Sequence, residues 1–142
     1  MFHRFHEILW AAALLLAAPL QTFAVDGDAL ANHVWIHGAE DCSKSVDPPI
    51  ETFKFDEDTY ILRQSKCVDF EAPFIYVFFG SDTVLIQDTG ATQEAALFPL
   101  YDTILELIRG RSSDGGPPLE ILVTHSHSHG DHKAADEQFE GR

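Results

Sequence analysis

The segment that most restricts the fold is Phe74-Ile75-Tyr76-Val77-Phe78-Phe79, six consecutive aromatic and β-branched residues with no charge among them. So short a run of β-formers reads as a strand, and because it does not alternate with polar residues it asks for cover on both faces. Gly80-Ser81-Asp82 then makes a tight turn into Thr83-Val84-Leu85-Ile86-Gln87, a second strand that stops at Asp88-Thr89-Gly90. Upstream, Thr52 to Phe55 alternates weakly and Thr59 to Leu62 is again β-rich, so further strands precede this hairpin.

After Gly90 the apolar period lengthens. Leu100, Ile104 and Ile108 fall four apart, and Leu97, Tyr101, Leu105 and Leu107 widen the stripe into a helix face. The spacing predicts a helix that is firm from about Phe98, takes Pro99 in its first turn and ends on Gly110 as a cap. Arg111 to Pro118 is a polar, Gly/Pro-rich loop, and Leu119 to Thr124 is another strand of buried type. Strand, helix and strand make a βαβ unit, so the class expected is α+β or α/β. His125 to Asp131 follows as the loop at the strand's C-terminal end, where open α/β sheets place ligands. No internal repeat is present.

A chain of 142 residues has room for one domain, and 45% hydrophobic residues with 11 Phe are too many for a disordered chain. Nine Lys and Arg stand against 23 Asp and Glu, a formal charge of −14. Such a surface repels polyanions and anionic bilayers, so neither nucleic acid nor a membrane surface is an expected partner.

The first 24 residues are expected to be removed. Arg4 precedes thirteen uncharged, mainly apolar residues from Ile8 to Leu20, and Thr22-Phe23-Ala24 places small residues at the two positions a signal peptidase reads. Thirteen residues fall short of the roughly 20 that cross a hydrocarbon core, and Pro19 closes the run. The expected product is therefore secreted or periplasmic, 118 residues long, and still at −14 because Arg4 and Glu7 leave together. In an oxidising compartment Cys42 and Cys67 can pair, which would pin the extended lead-in expected over residues 25–49 onto the domain expected over residues 50–142.

Four of the eight histidines lie between His125 and His132. Neutral imidazoles and a carboxylate are the usual ligands of zinc and related divalent metals, and a loop leaving a rigid strand can turn several toward one point. One register gives His-x-His followed by x-Asp-His: His127, His129, Asp131 and His132, with Ser128 and Gly130 small enough for a tight backbone path. His125 falls outside it and reads as a strand-end residue.

Ser126-His127-Ser128-His129-Gly130-Asp131-His132 resembles the H-x-H-x-D-H signature of the metallo-β-lactamase-fold hydrolases. Leu85-Ile86-Gln87-Asp88-Thr89-Gly90 resembles the strand-ending Asp-(Ser/Thr)-Gly that precedes that signature by a helix and a strand, and the likeness runs from about Ile50 to Phe139. The resemblance implies the N-terminal half of a metallo-β-lactamase-type αββα sandwich. It implies that His127 and His129 hold a first metal and Asp131 and His132 a second, zinc in both, with iron or manganese as alternatives. Asp131 would also steer the attacking water, and Asp88 would lie beneath the site as a supporting carboxylate. The implied activity is hydrolysis of a small-molecule ester, lactone, thioester or amide by metal-activated water. Family members supply further ligands from later loops, so the chain is expected to act as a truncated form with little activity until a C-terminal half joins it.

Three further readings belong beside this one. The His-rich loop would also serve a non-catalytic exported metal-binding protein. His33 and His37 are four apart, as on a metal-binding helix face, but Val34, Trp35, Ile36 and Gly38 disfavour a helix there. Phe70, Pro73 and Phe74 read as core residues that could instead line a substrate cleft.

Overall fold

In the computed structural model, residues 27–111 and 118–142 are described. The export signal read over residues 1–24 and most of the loop read over Arg111 to Pro118 lie outside the described residues. The architecture is α+β, a mixed five-stranded sheet with a few helices. The strands are β1 (Ile50–Lys54), β2 (Thr59–Gln64), β3 (Phe74–Phe79), β4 (Thr83–Gln87) and β5 (Glu120–Thr124), and they lie in the order β1-β2-β3-β4-β5. The first four pair antiparallel in a meander; β5 pairs parallel to β4 after a crossover through helix α2 (Leu100–Arg111). A five-residue helix, α1 (Gly27–Ala31), opens the described chain.

Register sorts the side chains onto two unlike faces, because the strand period is two. One face carries Leu62, Ile75, Val77, Val84 and Ile86, all fully buried, which form one core with Phe98 and with Leu100 and Ile104 of α2. The other face leaves Phe78, Leu85 and Leu122 exposed by 37%, 36% and 46%. Only part of that face is covered: the lead-in lays Trp35 against Phe53 and Phe74, with ring centroids 5.6 and 4.9 Å apart. Glu51 ties it down, accepting from the Ile36 N–H at 2.7 Å and bonding His33 Nε2 at 2.7 Å.

Three sequence expectations need correction. The helix does not stop at Gly110 but runs through it to Arg111, whose guanidinium packs over the Phe79 ring at 4.7 Å and meets Asp58 at 2.6 Å and the Glu57 carbonyl. Those contacts anchor the last described turn. Leu97 precedes the helix and is exposed, which removes it from the apolar stripe. β5 is likewise an edge strand rather than a buried one, with Ile121 and Val123 packed on the core and Leu122 turned out.

Cys42 and Cys67 form a disulfide across 25 residues, joining the lead-in to the loop after β2. Replacing Cys67 by serine is expected to lower stability by about 3 kcal/mol on the chain-entropy account. Urea denaturation with and without reductant checks this: reductant should destabilise the wild type by a similar amount and leave Cys67→Ser unmoved. Among the described residues no helix is long and apolar enough to cross a membrane.

Candidate metal centre

β4 and β5 end side by side, and their C-terminal loops build the site. The Asp88-Thr89-Gly90 segment clamps the histidine loop through backbone bonds. Asp88 N–H donates to the Thr124 carbonyl at 2.8 Å, Thr89 N–H to that of His132 at 2.8 Å, and Ala134 N–H to that of Gly90 at 3.0 Å. A 3-10 turn at Gly130–His132 then folds the loop back, although a Cβ at Gly130 would meet nothing within 4 Å, so the turn does not depend on the glycine.

Asp88 is 3% exposed and has a left-handed φ of 70°, and its carboxylate is the hub of the loop. It accepts from the Ser126 N–H at 2.7 Å, the Ser126 hydroxyl at 2.9 Å and His132 Nδ1 at 2.8 Å. Burial by itself would raise this carboxyl, but the bonds from His132 and Ser126 together outweigh it and hold it below the ordinary value.

With Nδ1 donating to Asp88, His132 turns Nε2 toward Asp131 Oδ2, 3.0 Å away. In the neutral ring that nitrogen is a lone pair facing a carboxylate, an arrangement relieved by a proton on the ring or by a cation shared between them. His127 completes the group: one ligand atom each from His127, Asp131 and His132 lies within 4.8 Å of the others. Two ligands at about 2.0–2.2 Å from a tetrahedral zinc lie roughly 3.3–3.6 Å apart, so side-chain rotations that draw the widest pair in by about 1 Å would close the set. These residues fit one divalent ion.

His129 is not in that group. Its ring stands edge-on to His127 at 4.6 Å, and both rings are exposed. Asp131 and His132, the second pair implied by the resemblance, thus lie together with His127, while His129 stands beside His127. His125 points elsewhere, bonding Asp136 Oδ1 at 2.9 Å, the same oxygen that accepts from Thr89 Oγ1 at 2.7 Å. His33 bonds Glu51 and His37 meets the Trp35 carbonyl, so they gather no metal set. Ser126, which the residues alone offer only as a weak candidate for a Ser/His/Asp triad, instead bonds Asp88, and Asp136 carries no signal in the sequence.

A cleft of about 410 Å³ adjoins the centre and reaches across the strand ends from Ser126, Asp131 and His132 to Arg63, Pro73 and Phe74. Pro73 and Phe74 thus face a cleft while Phe70 stands 80% exposed outside it. The chain matches no family model and no curated protein sequence.

Proposed function

We propose that the chain carries the N-terminal half of a secreted or periplasmic metal-dependent hydrolase of the metallo-β-lactamase type, acting on a small-molecule ester, lactone, thioester or amide. The observation that carries this reading is the Asp88–His132–Asp131 relay. A buried carboxylate holds Nδ1, Nε2 lies 3.0 Å from the Asp131 carboxylate, and His127 brings a ligand atom within 4.8 Å of one from each of these two residues. Three protein donors with an open side is the ligand count of a catalytic zinc rather than of a closed structural one. When bound, such a metal supplies a Lewis acid that polarises the bond under attack and acidifies water. Asp88 and Ser126 hold the His132 ring in one tautomer and orientation. Asp131 offers a carboxylate oxygen at the mouth of the cleft to orient the attacking water and accept its proton.

The two-faced sheet supports the sandwich reading, since one face is packed by α2 and the other presents Phe78, Leu85 and Leu122 for a second layer. The Cys42–Cys67 bridge supports export, because such bonds persist in oxidising compartments.

Calorimetric titration of the full chain with Zn²⁺ tests the assignment. His127→Ala and His132→Ala are each expected to weaken binding by about tenfold or more, and His33→Ala to leave it unchanged. Equal losses from all three would replace the proposal with a nonspecific metal scavenger. Assay against β-lactams, lactones and thioesters completes the test: any zinc-dependent turnover should vanish in Asp131→Ala, and turnover indifferent to Asp131 and His132 would remove the hydrolase reading.

A further inference from the structure

In a chain with 23 acidic residues, Arg63 on β2 makes no ion pair among the described residues. Its cross-strand neighbour Glu51 is already engaged by His33 and the Ile36 N–H, and Glu71, which lines the same cleft, forms no bridge to it. The guanidinium instead lies over the Phe74 ring, its central carbon 4.3 Å from the centroid, with Trp35 edge-on to that ring at 4.9 Å. Arg63 Nε is also the only buried side-chain nitrogen or oxygen without a hydrogen-bond partner among the described residues.

These facts describe a permanently charged guanidinium seated over an aromatic ring, its Nε–H without an acceptor, in the cleft that also contains Asp131 and His132. A buried donor left without an acceptor is unfavourable, and an anion that supplies one recovers that free energy on binding. We propose that Arg63 is the anchor for a carboxylate group of the small molecule this cleft binds. The cleft favours a monoanion, because Glu71, Asp88 and Asp131 line it and would repel a phosphate dianion more strongly. Phe74, Pro73 and Tyr76 supply apolar wall for the body of the ligand. Sheet order sets the span: Arg63 stands three strand positions from β5, about 14 Å between backbones, with side chains reaching inward from each side. That this ligand is a substrate rests on the hydrolase reading; that the cleft takes a carboxylate does not.

The test is a titration of the full chain with benzoate, benzamide and phenyl phosphate at low ionic strength, in buffer freed of metal by a chelating resin. Because no metal is present, failure of zinc binding would leave this result standing and failure here would leave zinc binding standing. The Arg63 Nε–H NMR signal of the wild type is expected to shift saturably with benzoate and to stay in place with benzamide. Arg63→Gln should weaken benzoate binding by about tenfold or more. Arg63→Lys, which keeps the charge without the fork, should weaken it less, and Lys54→Gln should not change it. An Nε–H signal unmoved by benzoate, equal affinities in wild type and Arg63→Gln, or phenyl phosphate binding as tightly as benzoate would each overturn the proposal.

Discussion

Replacing Asp88 by alanine is expected to weaken zinc binding by about 10–100-fold and to destabilise the metal-free fold by about 2–4 kcal/mol. The carboxylate accepts three hydrogen bonds at 2.7–2.9 Å, from the Ser126 N–H and hydroxyl and from His132 Nδ1. Its removal strands a backbone N–H and frees the imidazole to rotate, so stability and metal affinity should fall together. Asp88→Asn separates the two. Asparagine tolerates the φ of 70° at this position and can still accept from the Ser126 N–H, so most of the stability should remain. Its amide N–H₂ would face His132 Nδ1, favouring the tautomer that puts a proton on Nε2, and metal affinity should drop nearly as far as in the alanine variant. Urea denaturation and zinc calorimetry on the same preparations check both halves. Wild-type affinity in Asp88→Asn would sink the claim that this carboxylate sets the histidine.

The same carboxylate gives the metal-free chain a pH dependence of definite sign. Its folded-state pKa lies below the ordinary 3.8, so its contribution to stability is complete above that value and is lost as pH falls through the lower folded one. Acid denaturation monitored at pH 5 and below should show a loss in the wild type that is absent from Asp88→Asn.

Gly90→Ala is expected to be the most damaging single-methyl change, costing about 2–4 kcal/mol. Gly90 sits at φ +82°, and a Cβ there would meet Phe98 Cε1 at 2.7 Å and Gln64 Oε1 at 2.8 Å. Neither neighbour can withdraw: Phe98 is fully buried, and Gln64 is held by the Ala91 N–H at 2.9 Å and the Thr92 hydroxyl at 2.8 Å. Gly110→Ala is the control, since a Cβ there meets nothing within 4 Å and alanine favours the helix. Thermal or urea midpoints should fall for the first and hold or rise for the second; equal behaviour would show that the Gly90 turn is not tightly packed.

What residue chemistry alone determined is clearest in the hairpin. β3 and β4 occupy Phe74–Phe79 and Thr83–Gln87, the bounds read from the apolar runs and the Gly80-Ser81-Asp82 turn, because strand propensity and turn chemistry act over a few adjacent residues. The βαβ order and the placement of the histidine loop beyond the last strand follow from the same local signals, as does the Cys42–Cys67 pairing from an even count of two. The helix end was not legible, because what carries α2 through Gly110 is Arg111 meeting Phe79 and Asp58, residues 32 and 53 positions away. The membership of the metal set was not legible either. His127, His129, Asp131 and His132 crowd one loop, and only the turn at Gly130–His132 and the bond to Asp88, 44 residues upstream, bring ligand atoms of His127, Asp131 and His132 within 4.8 Å of one another. Arg63 gave no signal at all in the chain. Its place beside Phe74 and in the cleft with Asp131 depends on strand order and pairing register, which a sheet settles between segments tens of residues apart rather than within any one of them.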